Sequence, residues 1–320
     1  MKDIGGYFEL EVSKGGSEYH SASYRLKSGR SALHLMLNSI KPKVVYVPYY
    51  TCDSLLEPFA ISGCRYEFYA INEQLEPVSL PVLNDNEYFL YINYFGLKDG
   101  FTEMLSGKYG AQLIVDATQA FFMKGKGVSW LFNSCRKFFG VPDGSYIYTP
   151  LGTTLQPPRE KNEHYITSHL TKRLNGQAKE GYADFQANES MIDCSITAMS
   201  EFTTQILSEI DNTYVINKRR ANYNFLSDKL SDCNKLHLPE TAGMVPMIYP
   251  FLPTHEIIKA LLAENQIYIP TFWKEVLERN HTRYEFEKSL AAGLLPLPVD
   301  HRYTIEDMEL LVSFVTKFQG

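Results

Sequence analysis

Three short runs of this chain hold residue types from which chemistry could be built. Ser28-Gly29-Arg30-Ser31-Ala32-Leu33 reads as a turn that opens a helix. Glycine there lets the backbone approach a ligand closely, helix-start amides point outward unpaired, and Arg30 adds a fixed positive charge. Gly29, Arg30 and Ser31 therefore form a candidate phosphate cradle, although a plain helix cap would use the same residues. Asp116 follows Leu113-Ile114-Val115, an apolar run with the character of a buried strand, and Gln119 stands three residues on. A carboxylate at a strand end can bind a metal, pair with a cation or cap the next loop. Lys137 lies between Cys135 and Phe138-Phe139, with Arg136 beside it and Ser134 three positions earlier. Apolar surroundings and a neighbouring cation both favour an amine that attacks a carbonyl.

Each run alone has an ordinary structural reading, but the three together match the fixed needs of pyridoxal phosphate. The phosphate of that cofactor wants amides, Ser and Arg. Its ring nitrogen wants a carboxylate that keeps it protonated, and its aldehyde wants a lysine.

The elements that must position these residues alternate along the first half of the chain. Ser31 to Ser39 has the Ala and Leu content of a helix, and Val44-Val45-Tyr46-Val47 is a buried-strand run closed by Pro48. A helical stretch from Ser54 to Ile61 follows, then strand runs at Tyr66 to Ile71, Tyr88 to Tyr94, Gln112 to Val115 and Ser145 to Tyr148. This alternation predicts an α/β fold with a mostly parallel sheet covered by helices on both faces. Ligands of open α/β sheets collect at the carboxyl ends of the strands, where Asp116 falls. From about Asn162 the pattern changes. Ile196 to Asp228 reads as one long helix with an apolar stripe at Ile206, Ile210, Tyr214 and Ile216. A smaller α/β module follows, with strands at Met244 to Tyr249 and Ile267 to Ile269 around a helix at Thr254 to Glu264. A last helix, Thr304 to Phe318, is opened by Thr304 as its N-cap. The expected division is residues 1–210 as a large cofactor-binding domain and 211–320 as a small C-terminal one, with roughly the first 20 residues packing on the latter.

Composition narrows the function classes. Lys plus Arg number 31 and Asp plus Glu 37, a formal charge of −6 that lacks the footprint of a nucleic-acid binder. The start of the chain has no signal-peptide pattern, and no apolar run approaches the roughly 20 residues of a bilayer span, so a cytoplasmic protein without membrane contact is expected. Five scattered cysteines without a Cys-x-x-Cys pair argue against a disulfide framework and against a metal site. The one excess is aromatic, with 22 Tyr and 19 Phe.

Ser28 to Leu33, Val47-Pro48-Tyr49-Tyr50-Thr51, Val115-Asp116-Ala117-Thr118-Gln119-Ala120 and Ser134-Cys135-Arg136-Lys137 occur in the order found in the DegT/StrS-type sugar aminotransferases, fold-type-I pyridoxal-phosphate enzymes that the chain resembles from about Gly5 to Pro150. The resemblance resumes at Ala198 to Glu201, Asn217 to Ala221 and Leu295 to Pro298. It implies a large domain with a mostly parallel seven-stranded sheet between helices and a small C-terminal α/β domain. It also implies that Lys137 forms the Schiff base and moves the proton, that Asp116 faces the ring nitrogen, and that Gln119 faces the ring hydroxyl. Gly29, Arg30, Ser31 and Ser134 would hold the phosphate. Tyr50 is the aromatic candidate to stack on the ring, because Cys52 stands where the family often has one. The chain also departs from the family at Phe132 and in Cys194 to Met199, which lacks the Asn and Arg that reach a neighbouring site. The implied activity is transfer of an amino group from an amino acid, with glutamate as the expected donor, to a keto-sugar or nucleotide-linked keto-sugar. The expected assembly is a homodimer serving sugar or polysaccharide biosynthesis. The alternatives are another pyridoxal-phosphate reaction on the same fold and a non-catalytic ligand-binding relative.

Overall fold

The computed structural model of the protein describes residues 10–12, 16–20, 24–236, 238, 243–255 and 259–317. Gly5, the middle of the expected Thr254 to Glu264 helix and Phe318 lie outside the described residues. Among these residues, seven strands form the main sheet: β1 (Tyr24–Leu26), β2 (Val44–Pro48), β3 (Tyr66–Tyr69), β4 (Glu87–Ile92), β5 (Leu113–Ala117), β6 (Trp130–Asn133) and β7 (Ser145–Tyr148). Their spatial order is β1-β7-β6-β5-β4-β2-β3. The pairs from β3 through β6 are parallel, whereas β7 runs antiparallel to both β6 and β1. The fold is α/β with a mostly parallel sheet, as the alternating pattern predicts.

Helices α1 (Gly29–Ile40), α2 (Asp53–Ser62) and α3 (Asp99–Tyr109) make the crossovers. Ser28 caps α1 by accepting from the Ser31 amide. The apolar spacing of Ala32, Leu33, Leu35, Met36 and Leu37 then gives α1 one buried face, which packs on β6 and β7. Burying each large side chain of that face contributes about 1.5–3 kcal/mol relative to leaving it in water. β2, β4 and β5 are covered on both sides, which is why their sequences read as near-continuous apolar runs.

Four helices follow the sheet: α4 (Ser168–Leu174), α5 (Tyr182–Ser190), α6 (Glu201–Ser208) and α7 (Asn212–Leu230). The single long helix expected over Ile196 to Asp228 is thus two. Asp211 interrupts it, because its carboxylate accepts the Tyr214 amide at 2.9 Å and starts a new helix there. Of the expected stripe, Ile206, Ile210 and Ile216 are partly buried against the core while Tyr214 is exposed, and the face of α7 that is fully buried carries Val215, Arg219, Asn222, Tyr223, Leu226 and Leu230.

β8 (Ile248–Phe251) pairs antiparallel with β9 (Leu295–Pro298). Between them lie α8 (Lys259–Glu264), α9 (Glu275–Glu278) and α10 (Glu285–Gly293), and α11 (Ile305–Lys317) closes the described chain by packing on α7. Ile267 to Ile269 forms no strand, because the Ile267 amide turns back to the Leu262 carbonyl at 2.9 Å. Thr304 and Asp307 cap α11 reciprocally, the Thr304 amide donating to the Asp307 carboxylate at 2.8 Å and the Asp307 amide to the Thr304 hydroxyl at 3.4 Å. At the N-terminal side, His20 is buried between Tyr148 Oη and the Phe121 carbonyl, at 2.7 and 2.6 Å. His20 thus rests against the main sheet, while its neighbour Tyr19 lines a cavity shared with Ile216, Arg220 and Val245. No helix among the described residues is long and apolar enough to cross a membrane.

Candidate active site

The carboxyl ends of β5 and β6 and the start of α1 meet at one side chain, Thr118. Its amide donates to the Asp116 carboxylate at 2.8 Å, and its hydroxyl accepts from Lys137 Nζ at 3.0 Å. Its methyl faces Gly29, where an added Cβ would lie only 3.1 Å away. Gly29 is thus required by close approach rather than by backbone conformation. One threonine brings three sequence-distant runs together. It was overlooked in the motif because a lone hydroxyl carries no spacing signature of its own.

Asp116 sits at the penultimate position of β5 and is 4% exposed. Burial pushes its carboxyl above the usual carboxylate range, against the opposing pull of the Lys137 ammonium and the Thr118 bonds. A further cationic N–H donor at this carboxylate would remove that penalty. Gln119 is buried, with Oε1 accepting from the Phe95 amide at 3.0 Å. That bond fixes the carboxamide and leaves Nε2 with no acceptor among the described residues.

Lys137 projects from a tight turn in which the Phe138 and Phe139 amides both donate to the Cys135 carbonyl, at 3.0 and 2.9 Å. The apolar enclosure expected of Lys137 is not found. Cys135, Phe138 and Phe139 are buried, but Lys137 itself is exposed, because the turn directs it away from the core its neighbours enter. Arg136 pairs with Glu189 instead of crowding Lys137. Burial, and secondarily the charge of Arg30, pull the Arg136 guanidinium down to about 10. Arg30 thus acts on Arg136 through its charge, but each guanidinium has its own carboxylate, Glu57 for Arg30 and Glu189 for Arg136.

The α1 start offers donors to match. The Ser31 amide goes to Ser28 Oγ at 3.1 Å and the Ala32 amide to the Ser28 carbonyl at 3.0 Å, while the Gly29 and Arg30 amides have no acceptor among the described residues. Ser134 is buried, and its hydroxyl makes no hydrogen bond among the described residues. Two of the expected phosphate groups sit differently from the motif reading. The Arg30 guanidinium is held by the Ile192 carbonyl and Ser54 and lies 3.1 Å from Glu57, so the backbone rather than the side chain of Arg30 faces outward from the helix start. The Ser31 hydroxyl is fully buried 3.0 Å from Ser28 Oγ, inside the cap.

Tyr50 is a correction to the stacking expectation. Its ring is fully buried, 4.5 Å edge-on to Trp273 and 5.9 Å from a near-parallel Tyr94, so no ring face is open to a ligand. Cys52 is the side chain of this segment that senses the site. Burial pushes its thiol up, and Lys137 and Asp116 act on it as the nearest charges. Beyond it, Arg279 binds the Tyr49 and Thr51 carbonyls at 2.8 and 3.0 Å, and Tyr284 stacks on Tyr49 at 3.9 Å. Among the described residues, no group of three His, Cys, Asp or Glu could hold a metal ion.

The fold matches solved aminotransferase structures. DesV of S. venezuelae aligns at TM-score 0.62 and 16% identity, over 92% of this chain and 84% of that one. The DegT DnrJ EryC1 StrS aminotransferase from Brucella abortus aligns at TM-score 0.59 and 15% identity, over 93% and 86%. Spr1654 of Streptococcus pneumoniae, solved in a PLP-form, aligns at TM-score 0.61 and 11% identity, over 91% and 85%. At these identities the likeness is one of fold. No protein-family model matches the chain, and no curated protein matches it in sequence.

Proposed function

We propose that this protein is a pyridoxal-phosphate-dependent aminotransferase that carries an amino group from an amino acid, with glutamate as the proposed donor, to a keto-sugar. The observation that carries the reading is the Thr118 junction, which places a buried carboxylate, an exposed lysine and free helix-start amides around one point on a fold shared with aminotransferases.

The residues present fit the cofactor. Its phosphate would take the Gly29 and Arg30 amides and the Ser134 hydroxyl, which has no partner among the described residues. Asp116, short of positive charge in its buried place, would hold a proton on the ring nitrogen. Gln119 Nε2, freed by the Phe95 bond to Oε1, would donate to the ring oxygen. When bound, pyridoxal phosphate supplies an aldehyde that takes up the amino group and a ring that draws in electrons from the substrate carbon. Lys137 is the attachment point in this reading. Its Nζ, held at Thr118 Oγ1 in this structure, would be the group that takes a proton from the substrate carbon and returns one.

The reading also takes the active unit as a homodimer in the cytoplasm and divides the chain near residue 210. The test is direct. Added pyridoxal phosphate should give the purified protein a visible absorption band, Lys137→Ala should abolish it, and glutamate should bleach it in a single turnover. A protein that stays colourless with added cofactor refutes the proposal, and mass measurement showing only monomer refutes the dimer.

A further inference from the structure

Arg219 is among the largest fully buried side chains of the described residues: an arginine 1% exposed, on the buried face of α7, with no carboxylate bound to it among those residues. Asp300, the acidic group whose charge reaches it, is occupied by Arg302 at 2.6 and 2.9 Å. The guanidinium instead collects backbone carbonyls. Nη1 donates to Pro246 at 3.2 Å and Met247 at 3.1 Å, Nη2 donates to Phe138 at 3.3 Å, and the guanidinium carbon lies 4.5 Å from the centre of the Phe138 ring. A leucine would fill such a place without the cost of desolvating a charge.

The carbonyls it selects are informative. Phe138 directly follows Lys137 and is part of the tight turn that presents it. Met247, just ahead of β8, accepts from Arg219 through its carbonyl and donates its own amide to the Phe95 carbonyl at 2.8 Å. Phe95 in turn donates its amide to Gln119 Oε1. Phe95 holds a left-handed backbone, φ 59°, which a bulky residue rarely adopts unless its surroundings enforce it. One connected path therefore runs from Gln119 through Phe95, Met247 and Arg219 to the turn of Lys137.

We propose that Arg219 is a positioning residue for Lys137, fixing the Lys137 turn to the Met247 peptide and through it to Gln119. The role in catalysis rests on the aminotransferase reading, while the role in ordering the turn does not. Arg219 never touches a reacting atom; it sets where the lysine stands.

The experiment compares Arg219→Met and Arg219→Lys with Arg220→Met as control. Among the described residues Arg220 binds the Met244 and Gly243 carbonyls alone, at 2.8 Å each, and does not join the path. Amide hydrogen exchange is followed at Phe138 and Phe139 in the protein without added cofactor. Exchange there should speed at least about tenfold in Arg219→Met, with Arg220→Met unchanged. With pyridoxal phosphate bound, kcat for glutamate should fall about 100-fold while KM moves less than about threefold, the pattern of a misplaced group rather than lost binding. Arg219→Lys keeps the charge but not the planar fork, so it should recover the melting temperature without recovering kcat. Unchanged exchange at Phe138 and Phe139 in both Arg219 variants overturns the proposal, whether or not Arg219→Met is destabilised. If Arg219→Met does not fold, the exchange and kcat of Arg219→Lys decide alone. Absence of any cofactor band in the wild-type protein overturns the aminotransferase reading and the catalytic role, and the exchange result still judges the ordering of the turn.

Discussion

Replacing Thr118 by valine isolates the hydroxyl that receives Lys137. Valine keeps a methyl group toward Gly29, and the backbone amide still reaches the Asp116 carboxylate, so the change removes the acceptor of Lys137 together with the hydroxyl's own pull on the Asp116 carboxyl. A hydrogen bond from a charged donor is worth about 1.5–3 kcal/mol. Because Lys137 is exposed, water replaces part of it, and about 1.4 kcal/mol is the reasonable net figure, or roughly tenfold in a rate. The expected result is therefore a single-turnover bleaching by glutamate about ten times slower in Thr118→Val, with the melting temperature nearly unchanged. Thr118→Ser, which keeps the hydroxyl and gives up the methyl contact, should run close to the wild-type rate. The assay is stopped-flow absorbance of the cofactor-loaded protein. Wild-type speed in Thr118→Val, or equal loss in Thr118→Ser, would show that the hydroxyl does not hold Lys137 during the reaction.

Asp116→Asn tests the buried carboxylate in the protein without cofactor. The folded pKa of Asp116 is raised, so its stabilising contribution is complete below the unfolded value and is lost as pH rises through the folded one. Asp116→Asn, which does not titrate, should gain melting temperature relative to wild type as pH rises above the ordinary Asp value of about 4, and a difference that does not change with pH would contradict the assignment. Asp211→Ala should cost about 1 kcal/mol by removing the cap of α7, read as a lower midpoint in denaturant unfolding, while cofactor binding stays intact.

Much of the sheet was legible because burial on both faces forces continuous apolar runs. Val44 to Pro48 and Ser145 to Tyr148 stand where those runs are closed by proline or turn residues. β6 was harder, since Trp130-Leu131-Phe132-Asn133 is four residues long and becomes a strand by pairing with β5, Ile114 opposite Trp130. Ile267 to Ile269 has the β-branched content of a strand, yet a local bond back to Leu262 takes its amide first. In the site, Asp116 and Lys137 could be read because each stands at the edge of an apolar run. The engagement of Arg30 could not, because Ser54, Glu57 and Ile192 are brought to it only by the fold. Tyr50 failed as a stacking residue for a related reason: aromatic content alone does not distinguish a ring that faces a ligand from one enclosed by Tyr94 and Trp273.

The bonds from Arg219 to Phe138 and Met247 have a consequence for the order in which the molecule is made. All seven strands of the main sheet have been synthesised by Tyr148, so the nascent chain can assemble its scaffold early. The Lys137 turn cannot receive its support until Arg219 emerges, and the segment holding Met247 leads into β8, whose only sheet partner among the described residues is β9, at 295–298. Vectorial synthesis therefore leaves the lysine turn held only by its local Cys135 bonds until the segment from Arg219 to Met247 has emerged, and a chain truncated before Arg219 would carry a complete sheet with that anchor missing.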